Sequence, residues 1–196
     1  MPKPELSNRQ NTEFEFRGLN HLALVCKDMQ RTVDFYQGVL GMPLVKTIEL
    51  PGGMGQHFFF DMGNGDSLAF FWFHNAPDAV PGVSSAAHWP GDGEIVTAHG
   101  SMNHVAFDVP EDKFEAYVDK LHEKGIRTSR IYNHDDSPAQ VSREMYDGVF
   151  IRSIYFMDPD GILLEFASWT KVLDPDVEVR HRAATAEEAR RQLATA

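Results

Sequence analysis

Leu19-Asn-His-Leu-Ala-Leu-Val25 and Met102-Asn-His-Val-Ala-Phe-Asp-Val109 are two copies of one pattern, and that repetition decides the fold. Each is an apolar strand candidate opened by Asn-His. After the first copy, Asp28 suits a helix N-cap, Met29, Val33, Tyr36 and Leu40 form a helical stripe, and Gly41 stops it. After the second, Pro110 suits the first helical turn, Phe114, Val118 and Leu121 form the stripe, and Gly125 stops it. The interval from His to the stopping Gly is 20 residues in one copy and 21 in the other. Three further strand candidates follow each helix, over 42–50, 56–62 and 67–74 and over 127–133, 150–157 and 162–169. The chain therefore reads as an α+β protein built from two βαβββ repeats of roughly 60 to 70 residues, related by a pseudo-twofold axis.

The expected organisation is an N-terminal arm at 1–17, a first module at 18–75, a connector at 76–100, a second module at 101–169 and a tail at 170–196. The connector is rich in Pro, Gly, Ala and Ser, and within the tail 186–194 can form a short polar helix. A second long connection, His134 to Gly148, is a candidate lid or substrate loop. With 196 residues, 42% of them apolar, the chain can bury a real core. Its net charge of −11 without a basic block disfavours nucleic-acid binding, which needs a clustered positive surface. Cys26 stands alone, which excludes an intramolecular disulfide and a cysteine-held zinc. The polar start lacks a signal-peptide core and no apolar run approaches the roughly 18 residues of a membrane span, so a cytoplasmic protein is expected. A homodimer or higher homo-oligomer is the expected state, with the two ends as candidate partner-facing segments.

Nine histidines supply ample nitrogen ligands. His21 and His104 occupy equivalent places in the repeat, and a pseudo-twofold axis would bring equivalent strand positions towards each other. Glu165, inside the apolar run Ile162-Leu-Leu-Glu-Phe166, is a costly carboxylate unless a positive partner meets it. Two neutral imidazoles and one carboxylate fill three positions of a divalent metal and leave the others open. Aligning Leu68-Ala-Phe-Phe71 with Leu163-Leu-Glu-Phe166 makes Phe70 the counterpart of Glu165. On that alignment His74 shares the ligand-side face with Phe70 and Trp72 and is a candidate acid-base group, while His88, His99 and His134 could reach inward from their loops. The aromatic runs Phe58-Phe-Phe60 and Leu68-Ala-Phe-Phe-Trp-Phe73 suggest an apolar pocket, with Phe60, Phe70, Trp72 and Tyr146 as expected lining residues.

These features resemble the vicinal oxygen chelate superfamily, which includes glyoxalases, fosfomycin-resistance thiol transferases, bleomycin-binding proteins and extradiol ring-cleaving dioxygenases. The resemblance rests on the paired modules, the two Asn-His starts and Asp158-Pro-Asp-Gly161 followed by Leu164-Glu165-Phe166, and it covers about 18–169. It implies that each module curls into half of a barrel-like sheet and that His21, His104 and Glu165 are the metal ligands. Phe70, where glyoxalase I-type sites usually place a further carboxylate, favours a three-ligand site. The back half of the extradiol signature fits from Tyr155 to Glu165, with Tyr155 as the group that hydrogen-bonds substrate; the histidine its front half requires is replaced by Tyr-Asp-Gly at 146–148.

The reading that follows is an extradiol-type dioxygenase using Fe(2+), with Mn(2+), Zn(2+), Ni(2+) or Co(2+) as alternatives, acting on a small, largely apolar aromatic diol. A glyoxalase-like lyase or isomerase that stabilises an enolate is the alternative, and a bleomycin-type binding protein the third. The absence of a clustered Arg or Lys site slightly disfavours a fosfomycin-type substrate.

Overall fold

The structure, a computed structural model, describes residues 18–93 and 96–186, together with 11, 13, 15 and 194. The first module runs β1 (His21–Cys26), α1 (Met29–Val33), β2 (Leu44–Glu49), β3 (Gly55–Gly63) and β4 (Asp66–Phe73). The second runs β5 (Val105–Asp108), α2 (Phe114–Glu123), β6 (Tyr132–His134), β7 (Val141–Ser142), β8 (Ile151–Met157) and β9 (Leu163–Trp169). Asp28 caps α1 by accepting the Arg31 N–H at 3.0 Å, and the helix continues as a π-helical segment, Asp34–Val39. Gly41 and Gly125 both end their helices with positive φ, 75° and 74°, the left-handed cap that glycine adopts without strain.

The sheets are ordered β1-β4-β3-β2 and β5-β9-β8-β6-β7. In each, the opening strand runs parallel to the closing strand of its own module while the other pairs are antiparallel. The expected pair of βαβββ units is therefore present as an α+β fold, with one amendment in the second. A strand was expected over 127–133, yet β6 starts at Tyr132 and Thr128 forms only an isolated bridge to Phe156. The Ser129 side chain explains the delay: its hydroxyl accepts the Tyr155 N–H at 3.0 Å, where a regular ladder would use a backbone carbonyl. The long connection after His134 is likewise not structureless, since it holds β7, which pairs with β6.

Strand alternation gives each sheet a core face. Leu22, Leu24 and Cys26 of β1, Phe58 and Phe60 of β3 and Leu68, Phe70 and Trp72 of β4 meet Phe35 and Tyr36 in one apolar cluster. Val105, Leu121, Phe156 and Leu164 of the second module belong to that same cluster. Both sheets thus turn one face into a shared core, and the opposite faces are left outside it. Phe114, Val118 and Ile154 form a smaller cluster under α2.

Residues 16–171 form one compact unit; in the other, α3 (Pro175–Glu178) is capped by Asp174. The polar helix expected over 186–194 lies almost wholly outside the described residues. Among the described residues no helix is long and apolar enough to cross a membrane.

Candidate metal centre

Glu165 is 4% exposed and occupies the middle of β9, where Ala106 of β5 pairs with it on one side and Tyr155 of β8 on the other. His104, one residue ahead of β5, reaches it: Nε2 lies 3.0 Å from Glu165 Oε2. The Tyr155 ring stands edge-on to the His104 ring at 5.9 Å, and burial, reinforced by the Glu165 charge, pushes its phenol up to about 12. The phenol therefore keeps its proton near neutrality and remains a hydrogen-bond donor. Tyr132, which shares this face through its pairing with Ser153, adds a second phenol ring 5.8 Å from Tyr155, and His134 stacks on Tyr132 at 6.0 Å.

The matching face of the first sheet carries His21 and then aromatic rings. His57 stacks on Phe71 at 3.6 Å, Phe71 on Phe73 at 5.2 Å, and Phe59 lies 4.3 Å from His57 and 5.6 Å from His21. His57 Nε2 is buried without a hydrogen-bond partner, and burial, with His21 nearby, holds its imidazole below the usual histidine range.

The structure brings His104, Glu165 and Tyr155 together and leaves His21 apart. Among the described residues no three His, Cys, Asp or Glu side chains of one chain are gathered closely enough to hold a metal. The two modules bury their helix-side faces in one shared core, and the faces that bear His21 and Glu165 lie on the other side of their sheets.

The pocket-lining expectations need correction. Phe60 and Phe70 are fully buried in the shared core; Trp72, half-buried against the same cluster with its indole N–H donating to the Lys27 carbonyl at 3.1 Å, does line a pocket, but one at the surface with Lys27, Met29 and Gln56, away from Glu165. The fault lies in a one-residue alignment slip, which in a strand exchanges the faces. His21 pairs with Ser67, so Ala23 pairs with Ala69, whereas Ala106 pairs with Glu165. The counterpart of Glu165 is Ala69, and the residues that share its side are Phe71 and Phe73. His74 is exposed beyond the end of β4, where its Nδ1 contacts the Met54 carbonyl at 3.2 Å. Tyr146 is 51% exposed, and its hydroxyl donates to Asp135 Oδ2 at 2.9 Å within its own loop. Sequence reasoning missed His57, Phe59, Phe71, Phe73 and Tyr132; counting alternation outward from His21 and Glu165, residue by residue, is the signal that finds them.

The donor set fits a divalent cation. His104 Nδ1 faces Asn103 Oδ1 at 2.8 Å and His21 Nδ1 faces Asn20 Oδ1 at 2.7 Å. A carbonyl oxygen only accepts, so in each neutral ring the proton sits on Nδ1 and Nε2 presents a lone pair. At His104 that nitrogen points at a buried carboxylate oxygen, and something positive, a shared proton or a cation that replaces it, has to lie between the two. A metal with nitrogen and oxygen ligands meets that requirement.

Known proteins place this arrangement in a family. FosB of Shouchella clausii, named a metallothiol transferase, is 27% identical over 154 residues, which are 78% of this chain and 81% of that protein. MhqE of Bacillus subtilis, whose name assigns it to ring-cleaving dioxygenases, is 28% identical over 113 residues, 56% of this chain; the match spans only 32% of that longer protein. A glyoxalase family protein from Enterococcus faecalis superposes with a TM-score of 0.54 at 25% identity, over 78% of this chain and 98% of that one. The sequence model of the Glyoxalase/Bleomycin resistance protein/Dioxygenase superfamily matches residues 18–166, and the chain belongs to that superfamily, the vicinal oxygen chelate group.

Proposed function

We propose that this protein is a metal-dependent enzyme whose centre is completed between two copies of the chain, His21 from one copy joining His104 and Glu165 from the other. Members of the superfamily are mostly metal-dependent enzymes and often dimers. What supports the shared centre is that each sheet carries part of the ligand set on a face turned away from its own partner module. A twofold dimer would place two such centres across one interface.

The reaction we favour is ring-cleaving dioxygenation of a small, largely apolar catechol-like diol. The observation that carries it is the buried trio of His104, Glu165 and Tyr155, with a protonated phenol beside the carboxylate. Bound there, Fe(2+) would supply Lewis acidity and open coordination positions. Tyr155 would donate a hydrogen bond to a substrate oxygen, and the Phe71 and Phe73 rings of the facing module would orient an aromatic ring and exclude water. A transferase or glyoxalase-like reaction is the second reading, favoured by the length of the match to FosB, which exceeds that to MhqE.

Metal analysis of protein purified without added metal, with oxygen uptake measured over a catechol panel, separates the two. Iron with substrate-dependent oxygen consumption supports ring cleavage. Zinc, manganese or nickel, no uptake, and formation of a thiol adduct would sink it in favour of the second reading. The shared centre has its own test. His21→Ala and Glu165→Gln should each bind metal poorly, yet refolding them together should restore about a quarter of the sites, since half of randomly mixed twofold dimers hold one intact centre. No recovery would overturn the shared centre.

A further inference from the structure

The Asn-His pair that opens each module has a role that strand pairing leaves unexplained. We infer that Asn20 and Asn103 are positioning residues that lock His21 and His104 in the Nδ1–H tautomer and so reserve Nε2 for the metal; this rests on the metal-site reading above.

A free imidazole exchanges its proton between two nitrogens, and either nitrogen can bind a metal. Here the choice is made by the preceding residue. Asn20 Oδ1 lies 2.7 Å from His21 Nδ1, and Asn103 Oδ1 lies 2.8 Å from His104 Nδ1. Successive side chains in a regular strand take opposite faces and cannot meet this way. The contact is possible because Asn20 precedes the first residue of β1 and Asn103 and His104 both precede β5, where the pleat has not begun. The amide of Asn103 is itself oriented, since its Nδ2 donates to Thr97 Oγ1 of the connector at 3.5 Å and thereby turns Oδ1 towards the ring. His104 Nε2 is the atom that faces Glu165 Oε2. The same device occurs at both histidines, in modules whose surroundings otherwise differ. Groups that orient a ligand histidine through its second nitrogen typically govern 10- to 100-fold of metal affinity.

The test uses the full chain, stripped of metal and labelled with 15N at histidine, at a pH well above the ordinary imidazole value of about 6.5. Long-range proton–nitrogen correlation spectra should show His21 as Nδ1–H in the stripped chain, and His104 as Nδ1–H once Zn(2+) replaces the proton it otherwise shares with Glu165. Asn103→Leu should move His104 towards Nε2–H and lower Zn(2+) affinity, read by competition with a chromophoric chelator, by about 10- to 100-fold. Asn103→Asp, which keeps the acceptor, should restore the tautomer and most of the affinity; Asn20→Leu and Asn20→Asp should do the same at His21. An Nε2–H ring at His21 in the stripped wild type, an Nε2–H ring at His104 in the Zn(2+)-loaded one, or Leu variants with unchanged tautomer and affinity, would overturn the inference. An Nδ1–H ring at His21 in a wild-type chain that binds no Zn(2+), Mn(2+) or Fe(2+) would support the lock and overturn the metal reading instead.

Discussion

The two modules share a four-strand topology, to which the second adds β7, and their outward faces have taken opposite chemical characters. The first offers His21 and His57 set among Phe59, Phe71 and Phe73; the second offers His104, His134, Glu165, Tyr155 and Tyr132. The sharpest difference is at one register position, Ala69 against Glu165. Only one of the two counterparts is charged, so a site built from one face of each kind collects one carboxylate, the imidazoles of His21 and His104 that open the two modules, and an apolar wall. Two faces of the second kind would collect two carboxylates, and two of the first would collect none. On the proposed function, the duplication supplies a scaffold on which ligand and substrate duties are divided.

The largest effect should come from the side of the first sheet that faces away from this chemistry. Phe70 is fully buried against Tyr36 and Phe60, with its ring centroid 4.8 Å from that of Tyr36. Phe70→Ala should cost about 3–5 kcal/mol in denaturant unfolding, the ordinary range for a lost core phenyl. A loss below about 1 kcal/mol would mean that Phe70 lines an open pocket after all.

The hairpins that precede the two closing strands differ as well. In the first module Asp61 simply accepts the Gly63 N–H at 2.7 Å near the surface. In the second, Asp158 is 6% exposed, accepts the Asp160 and Ile162 N–H groups at 2.8 Å each, and takes the Tyr36 hydroxyl at 3.2 Å from the first module. Burial outweighs these hydrogen bonds and pushes the carboxyl up from 3.8 to about 6. A folded value above the unfolded one favours the protonated form in the fold, so this contribution is fully present below about pH 3.8 and is lost as pH rises through about 6. The displacement corresponds to ~3 kcal/mol at most between those limits. Asp158→Asn should flatten that part of the stability profile, measured by urea melts from pH ~4 to ~7, whereas Asp61→Asn should leave it unchanged. Equal slopes in wild type and Asp158→Asn would show that another group sets the profile.

The carboxylate itself comes next. Glu165→Gln keeps the shape of the side chain and removes its charge, so metal affinity should fall by more than about 100-fold, beyond the usual cost of losing a merely supporting group. Direct metal titration of the purified variant reads this, and a full metal complement would remove Glu165 from the ligand set.

Much of this was legible in the sequence because the signals were local or repeated. Gly41 and Gly125 stop their helices through their own conformational freedom, and the Asn-His starts mark equivalent strands without any tertiary information. Glu165 was legible because one carboxylate in an apolar strand demands a partner. The facing of β4 was not. Leu68-Ala-Phe-Phe-Trp-Phe73 is apolar on both faces, so it carries no alternation from which to read a side, and matching it to β9 by apolar identity slipped the register by one. Two other features depended on tertiary context: Ser129 replacing a ladder partner, and the common core that leaves the faces of His21 and Glu165 outside it.

The smallest effect should fall on Phe71, the immediate neighbour of Phe70 in sequence and its opposite in facing. Its ring is held between His57 and Phe73 on a partly open face, so truncation removes stacking and only part of a buried surface. Phe71→Ala should therefore cost about 1 kcal/mol, well under the loss at Phe70. The functional response should run the other way. If the aromatic wall binds substrate equally in the ground and transition states, removing one ring raises KM several-fold, roughly 3- to 10-fold, with kcat little changed. Phe70→Ala, assayed well below its melting temperature, should leave KM near the wild-type value. A KM that responds to Phe70 and ignores Phe71 would reverse the assignment of the two faces, and with it the placing of Ala69 opposite Glu165.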